Sequence, residues 1–160
     1  MFEKFGEFDS AEELNMCAEG LRNEGDEESL IALAEENGID GEDAEDFMTG
    51  DLDKLATPLM AALGKIEVEC KELKPKQIMV DWIEYIKIQC TESEEMAAAI
   101  RKKGKSIKGC IAELLKWSFK NQVDIDGDIL KAAGVNANRV TLGIPGMGEA
   151  KKIIREYYGK

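Results

Sequence analysis

The sequence predicts a mainly α protein, a compact bundle of about seven to eight short helices with at most one small strand pair. Three observations carry that expectation. Apolar residues recur at steps of three and four along most of the chain. Capping residues head these stretches (Ser10, Asp26, Asp40, Thr57, Ser106), and glycines close many of them (Gly25, Gly38, Gly50, Gly104, Gly134). The composition, 44% hydrophobic and 34% charged over 160 residues, suits one respectable core or two small modules packed together.

Ser10-Ala11-Glu12-Glu13 has the form of a capping box, the serine accepting the N–H three residues on and the glutamate reaching back. Leu14, Cys17, Ala18 and Leu21 follow at helical spacing up to Gly25. Asp26 heads a second helix through Leu30, Ile31, Leu33 and Ala34, closed by Asn37-Gly38 as a left-handed terminus. Asp40 opens a third, short helix through Ala44, Phe47 and Met48, stopped by Gly50. These helices define an acidic three-helix module over residues 1–53. Residues 54–160 form a helical core with a basic C-terminal part, and the two are expected to make one cooperative unit.

Thr57-Pro58 is a cap and first-turn pair for a helix holding Leu59, Met60 and Leu63. Ile66-Glu67-Val68-Glu69-Cys70 alternates strictly, which predicts a short strand. Beyond Pro75, Met79, Ile83, Ile86 and Cys90 recur at steps of four, three and four, flanked by Trp82, and predict a core helix. A further helix is expected over 92–103, through Met96, Ala99 and Ile100. Ser106 caps another that carries Ile107, Cys110, Ile111, Leu114, Leu115 and Trp117. Asp126 or Asp128 starts a short helix ended by Gly134, and residues 139–142 fit either extended or helical backbone. Residues 143–148 are a loop, and the last helix runs from about Glu149 to Tyr158.

The formal net charge of −12 is unevenly distributed. Residues 1–100 hold 27 acidic and 8 basic side chains, a net of −19, whereas residues 101–160 hold 6 and 13, a net of +7. Residues 1–53 alone carry 19 acidic and 2 basic side chains. The chain has no histidine, which removes the commonest general base and the usual partner of a nucleophilic serine or cysteine. Cys17, Cys70, Cys90 and Cys110 are widely spaced without the close pairs of a zinc site, and helical faces turn Cys90 and Cys110 toward the core as free thiols. No apolar run approaches the roughly 20 residues that span a bilayer. The N-terminus lacks the basic start and apolar stretch of a signal peptide, so a cytoplasmic protein is expected. No cofactor and no metal site are expected.

Four constellations bear on function. Asp124-Ile-Asp126-Gly-Asp128 resembles the start of a calcium loop, but Ile129 and Val135 stand where the turn glycine and bidentate glutamate belong, so helix capping is the better account. The carboxylates of Asp26, Glu27, Glu28, Glu35, Glu36, Asp40, Glu42, Asp43, Glu45 and Asp46 form the candidate partner-binding face. They are a solvated surface, a weak cation site, or an imitation of a row of DNA phosphates that a basic channel would attract. Arg101, Lys102, Lys103, Lys105 and Lys108 put five cations in eight residues, enough to neutralise phosphates without reading sequence. Gly143-Ile-Pro-Gly146-Met-Gly148 is similar to the hairpin of a helix-hairpin-helix module, with Lys151 and Lys152 to support a phosphate at backbone N–H groups. Here the following Ala150 comes about two residues early.

The stretch from Met96 through Ala97, Ala98, Ala99 and Ile100 to Arg101-Lys102-Lys103-Gly104-Lys105-Ser106-Ile107 and on past Cys110-Ile111 resembles part of the PcfK-like proteins, small products of Gram-positive conjugative elements. The shared pattern is a Lys-Ser-Ile entry, a cysteine four residues after the serine and an amphipathic helix, over about 30 residues. At the far end, the aspartate-rich tail of that family is replaced by Gly159-Lys160. The resemblance implies a bacterial mobile-element origin and no enzymatic activity, in a setting where some neighbouring proteins inhibit CRISPR nucleases. The expected function is therefore an acidic interaction protein that blocks a nucleic-acid-handling machine, an anti-CRISPR inhibitor in its sharpest form. Its partner would be a protein with a basic nucleic-acid-binding surface. The alternatives are a conjugation or plasmid-maintenance accessory that binds DNA through its basic C-terminal part, and a metal-dependent enzyme using the acidic clusters.

Overall fold

Local capping sets the first three helices of the computed structural model, which describes residues 2–159; Met1 and Lys160, the outer ends of the two expected modules, lie outside the described residues. Helix α1 (Ala11–Glu24) starts where Ser10 Oγ accepts the Glu13 N–H at 3.1 Å. The Glu13 carboxylate reaches back to the Asp9 N–H at 2.8 Å, one residue further out than a standard capping box. Gly25 closes α1 in the left-handed region at φ 72°. Asp26 heads α2 (Glu27–Glu36) by accepting the Ser29 N–H, and Asp40 heads α3 (Gly41–Thr49) by accepting that of Glu42. Phe47 of α3 is fully buried beneath the Arg22 guanidinium, 4.2 Å from its ring centroid, a burial worth roughly 2–3 kcal/mol.

Thr57 caps α4 (Pro58–Leu73), which absorbs the strand expected at 66–70. The buried positions of this helix are Ala61, Ala62, Gly64, Lys65, Ile66 and Glu69, while Glu67 is exposed and Val68 and Cys70 are half-buried. The apparent alternation arose because Glu69, an inward position, is charged, whereas Val68 and Cys70 on either side of it are apolar and only half-buried. Helix α5 (Ile78–Glu92) follows, with Trp82 inside the core beside Ile83 and Ile86. Only Ser93 separates it from α6 (Glu94–Arg101), because the Ser93 hydroxyl accepts the Met96 N–H and starts a new helix. The helix expected over 92–103 is correspondingly shorter.

Ser106 caps α7 (Ile107–Lys120), which buries Ile107, Cys110 and Leu114 but leaves Leu115 exposed. Residues 139–142 resolve as extended: β2 (Thr141–Leu142) pairs antiparallel with β1 (Val123–Asp124), Val123 opposite Leu142 and Asp124 opposite Thr141. Between them lies α8 (Gly127–Ala132), headed by Asp126 as capping predicted. Helix α9 (Met147–Tyr158) begins two residues earlier than expected. The fold is thus mainly α, with nine helices and one two-stranded ladder among the described residues.

Two apolar clusters meet on α4. The first gathers α1, α2, α3 and the chain up to Ala61, and the second begins at Ala62 and takes in α5, α6, α7 and α9. Backbone meets backbone at the junction. A Cβ on Gly38 would stand 2.3 Å from the Gly64 carbonyl oxygen, and one on Gly64 would stand 2.2 Å from that of Asn37. Gly38 also holds φ +67°, so it satisfies a left-handed turn and a close approach together. Among the described residues no helix is long and apolar enough to cross a membrane.

Candidate interaction surface

Helices α2 and α3 turn Leu30, Leu33, Ala34, Ala44 and Phe47 inward, which leaves their carboxylates outside. Glu27, Glu28, Glu35, Asp40, Glu42, Glu45 and Asp46 are exposed, and Asp26, Glu36 and Asp43 are half-buried. Three of the ten have local work. Asp26 and Asp40 cap their helices, and the backbone and hydroxyl hydrogen bonds from Ser29 hold the Asp26 carboxyl below its ordinary range. Glu36 accepts the N–H groups of Lys4 and Phe5 and so pins the N-terminal segment to the end of α2.

The side chains of Glu27, Glu28, Glu35, Glu42, Asp43, Glu45 and Asp46 make no ion pair or hydrogen bond among the described residues. Glu27, Glu28, Glu42 and Asp43 sit in first helical turns, where the helix dipole favours an anion. Glu35 and Asp46 sit in last turns that contain no basic residue, where the dipole disfavours one. On α3, Glu42, Glu45 and Asp46 share one outer face, with Glu42 and Asp46 about 6 Å apart along the axis.

The basic stretch, by contrast, is broken up by the fold. Arg101 is only 1% exposed, because its guanidinium points inward to Asn37 Oδ1 and lies 5.5 Å from the Phe2 ring centroid and 6.0 Å from that of Phe8. That corrects its expected place on a phosphate-binding surface. Lys105 is also engaged, donating to the Tyr157 carbonyl at 2.7 Å and sitting over the Tyr157 ring. Lys102, Lys103 and Lys108 remain exposed. Acidic residues of the N-terminal segment seal the backbone here: Asp9 accepts the Lys103 N–H and Glu7 accepts that of Gly104.

The hairpin-like segment also takes another form. Gly146 is the N-cap of α9, Gly148 lies in its first turn, and a two-residue strand stands where the preceding helix of a helix-hairpin-helix would be. Lys151 is half-buried over Tyr85, and Lys152 is exposed.

Sequence reasoning missed a buried polar cluster beneath the N-terminal segment. Lys65 Nζ donates to Glu7 Oε1 at 2.7 Å and to the Lys102 carbonyl at 2.8 Å, capping the end of α6. Glu69 Oε2 accepts the Ile107 N–H at 2.5 Å, placing a carboxylate at the start of α7. Burial pushes the Lys65 ammonium down, against the raising effect of Glu7, and pushes the Glu69 carboxyl up. Among the described residues, Glu69 Oε1 and the Nε and Nη1 of Arg101 have no hydrogen-bond partner. A half-open cavity of about 420 Å³ lies alongside, lined by Glu7, Glu69, Leu73 and Lys105 among others. The available signal was Lys65 and Glu69 spaced four apart among Ala62 and Ile66, which the alternating reading of 66–70 concealed.

Burial raises the Cys90 thiol to about 11 and the Cys110 thiol to about 12, so neither supplies a thiolate at neutral pH, and all four cysteines are free. Among the described residues no group of three or more carboxylates or thiols gathers as metal ligands would. No family model, no curated protein and no solved structure matches the chain.

Proposed function

We propose that this protein is an acidic interaction protein that occupies the basic nucleic-acid-binding surface of another protein. The observation that carries the reading is the unpaired carboxylate face of α2 and α3, open even at helix ends where negative charge is locally unfavourable. Carboxylates about 6 Å apart along a rigid helix present a charge row on the scale of a nucleic-acid backbone, whose phosphates rise about 3.4 Å per strand. A cleft lined with lysine and arginine would be steered toward such a face, and its nucleic acid would be excluded by occupancy.

In its sharpest form the partner is a CRISPR nuclease and the protein a cytoplasmic product of a bacterial mobile element, a context drawn from the likeness of residues 96–125 to the PcfK-like proteins. Pull-down with purified CRISPR nucleases and a target-cleavage assay test this form. Inhibition lost in a Glu42→Lys, Glu45→Lys, Asp46→Lys variant supports it, and cleavage unchanged across several nuclease types at excess protein removes it. The alternative of a DNA-binding accessory keeps only part of its surface, since Arg101 and Lys105 are engaged within the chain. Retention of duplex DNA that weakens steeply with salt would favour that alternative.

A further inference from the structure

Between Leu114 and Ala150 the only buried residue is Pro145, and no residue of α8 is buried. This stretch is nevertheless rich in large apolar residues. Leu115 and Phe119, one turn apart on α7, are 54% and 75% exposed, and Val123, Leu142 and Ile144 are 60%, 52% and 54% exposed. They belong to one region. Val123 and Leu142 are directly opposed across the strand pair, so their side chains share a face. Gly143 lies against the end of α7, where an added Cβ would meet the Ser118 carbonyl at 2.5 Å and the Gln122 amide at 2.2 Å. That contact holds Leu142 and Ile144 beside the helix end that carries Phe119.

We propose that this apolar face is the interface of a symmetric dimer, covered by a second copy of the chain. Charge selects that occupant. Residues 119–147 hold three acidic and three basic side chains, and two ion pairs close within them, Arg139 with Asp124 at 2.6 Å and Lys131 with Asp128 at 3.1 Å. Two chains of net charge −12 therefore meet here without opposing like charges, and a neutral apolar face offers nothing to a basic or acidic partner. Area agrees. The five side chains expose on the order of 600 Å², at the upper end of patches on monomers. An isologous contact counts that surface twice, about 1,200 Å² in total, which reaches the lower bound of stable interfaces. The acidic face of α2 and α3 takes no part, so the dimer would present it twice.

Sedimentation velocity on the whole chain, from micromolar to sub-millimolar concentration and at physiological and molar salt, tests the proposal. The expected result is a mass that doubles from 17.7 kDa as concentration rises and stays doubled in molar salt, as an apolar contact requires. Phe119→Ser with Leu142→Ser weakens self-association by at least about tenfold. Both side chains are exposed, so the variant keeps its helical circular dichroism; Glu42→Lys with Glu45→Lys leaves the doubling in place. A single-chain mass throughout overturns the proposal and assigns the patch to some other partner. Doubling that the Phe119/Leu142 variant does not weaken overturns it too, by placing the contact elsewhere.

Discussion

Arg101 Nη2 donates to Asn37 Oδ1 at 2.8 Å, across 64 residues of sequence, and both residues are almost wholly buried. The contact ties the last residue of α6 to the C-cap of α2, so it joins a helix of the second apolar cluster to one of the first. Asn37 is already committed on its other side, donating through Nδ2 to the Leu33 carbonyl. Replacing it with alanine strips Arg101 of its side-chain acceptor and leaves a buried guanidinium unpaired. Asn37→Ala should therefore cost about 2–3 kcal/mol in urea denaturation. Arg101→Lys beside the native asparagine should also destabilise, since an ammonium cannot reproduce the planar fork. A loss for Asn37→Ala within the roughly 0.5 kcal/mol of an ordinary surface change would contradict this account.

Glu69 gives the fold a pH dependence of unusual sign. Burial holds its carboxyl above the ordinary glutamate range in the folded chain, so folded molecules keep a proton that unfolded ones have released. Between the ordinary value and the raised one the folded state binds more protons, and this contribution to stability falls as pH rises. Lys65 works in the opposite direction. Its folded value is lowered, so its contribution rises with pH, but only in the window between that lowered value and the ordinary lysine value. The stability of Glu69→Gln relative to the native chain should accordingly improve as pH rises from the glutamate range toward neutrality. Thermal melts of the two proteins across that range decide it, and a difference that stays flat with pH would rule it out.

The glycine junction makes a contrast of signs. Gly64→Ala places a methyl group 2.2 Å from a backbone carbonyl of the facing turn, with no flexible side chain to yield. Separation of the two backbones should cost about 3 kcal/mol or more. Gly20→Ala, on the exposed side of α1 with nothing within 4 Å of the new methyl group, should instead stabilise by about 0.5–1 kcal/mol. Chemical denaturation of both variants checks the pair.

The helix starts were legible in the sequence because the bonds that make them are local. Ser10, Asp26, Asp40, Thr57 and Ser106 each accept an N–H two or three residues on, and those offsets can be read directly. The direction of Arg101 was not legible, since it depends on Asn37, 64 residues away in sequence. Lys65 and Glu69 were hidden for the related reason that a helical face is recognised by apolar residues, and here two inward positions are charged. Apolar spacing along α7 likewise marks Leu114 and Leu115 equally. Only the packing of α4 and α9 decides that the first is covered and the second is left at 54% exposure.

The acidic face allows function and stability to be separated. Glu45 and Asp46 lie in the second half of α3, where the dipole favours cations and no basic residue is present. The closing hydrogen bonds of this helix run from Gly50, Asp51 and Leu52 to the backbone carbonyl of Asp46 and leave its side chain free. Glu45→Lys and Asp46→Lys should thus each raise stability by about 0.3–1 kcal/mol in low salt, with the gain shrinking as salt is added. If the face meets a basic cleft, the same substitutions abolish binding to that partner by putting like charges together. A variant that melts higher and no longer binds would mean these carboxylates stand where they do at a cost to the fold, which function explains. A variant that melts lower would assign them a structural role, and one that melts higher and still binds would remove the face from the interaction.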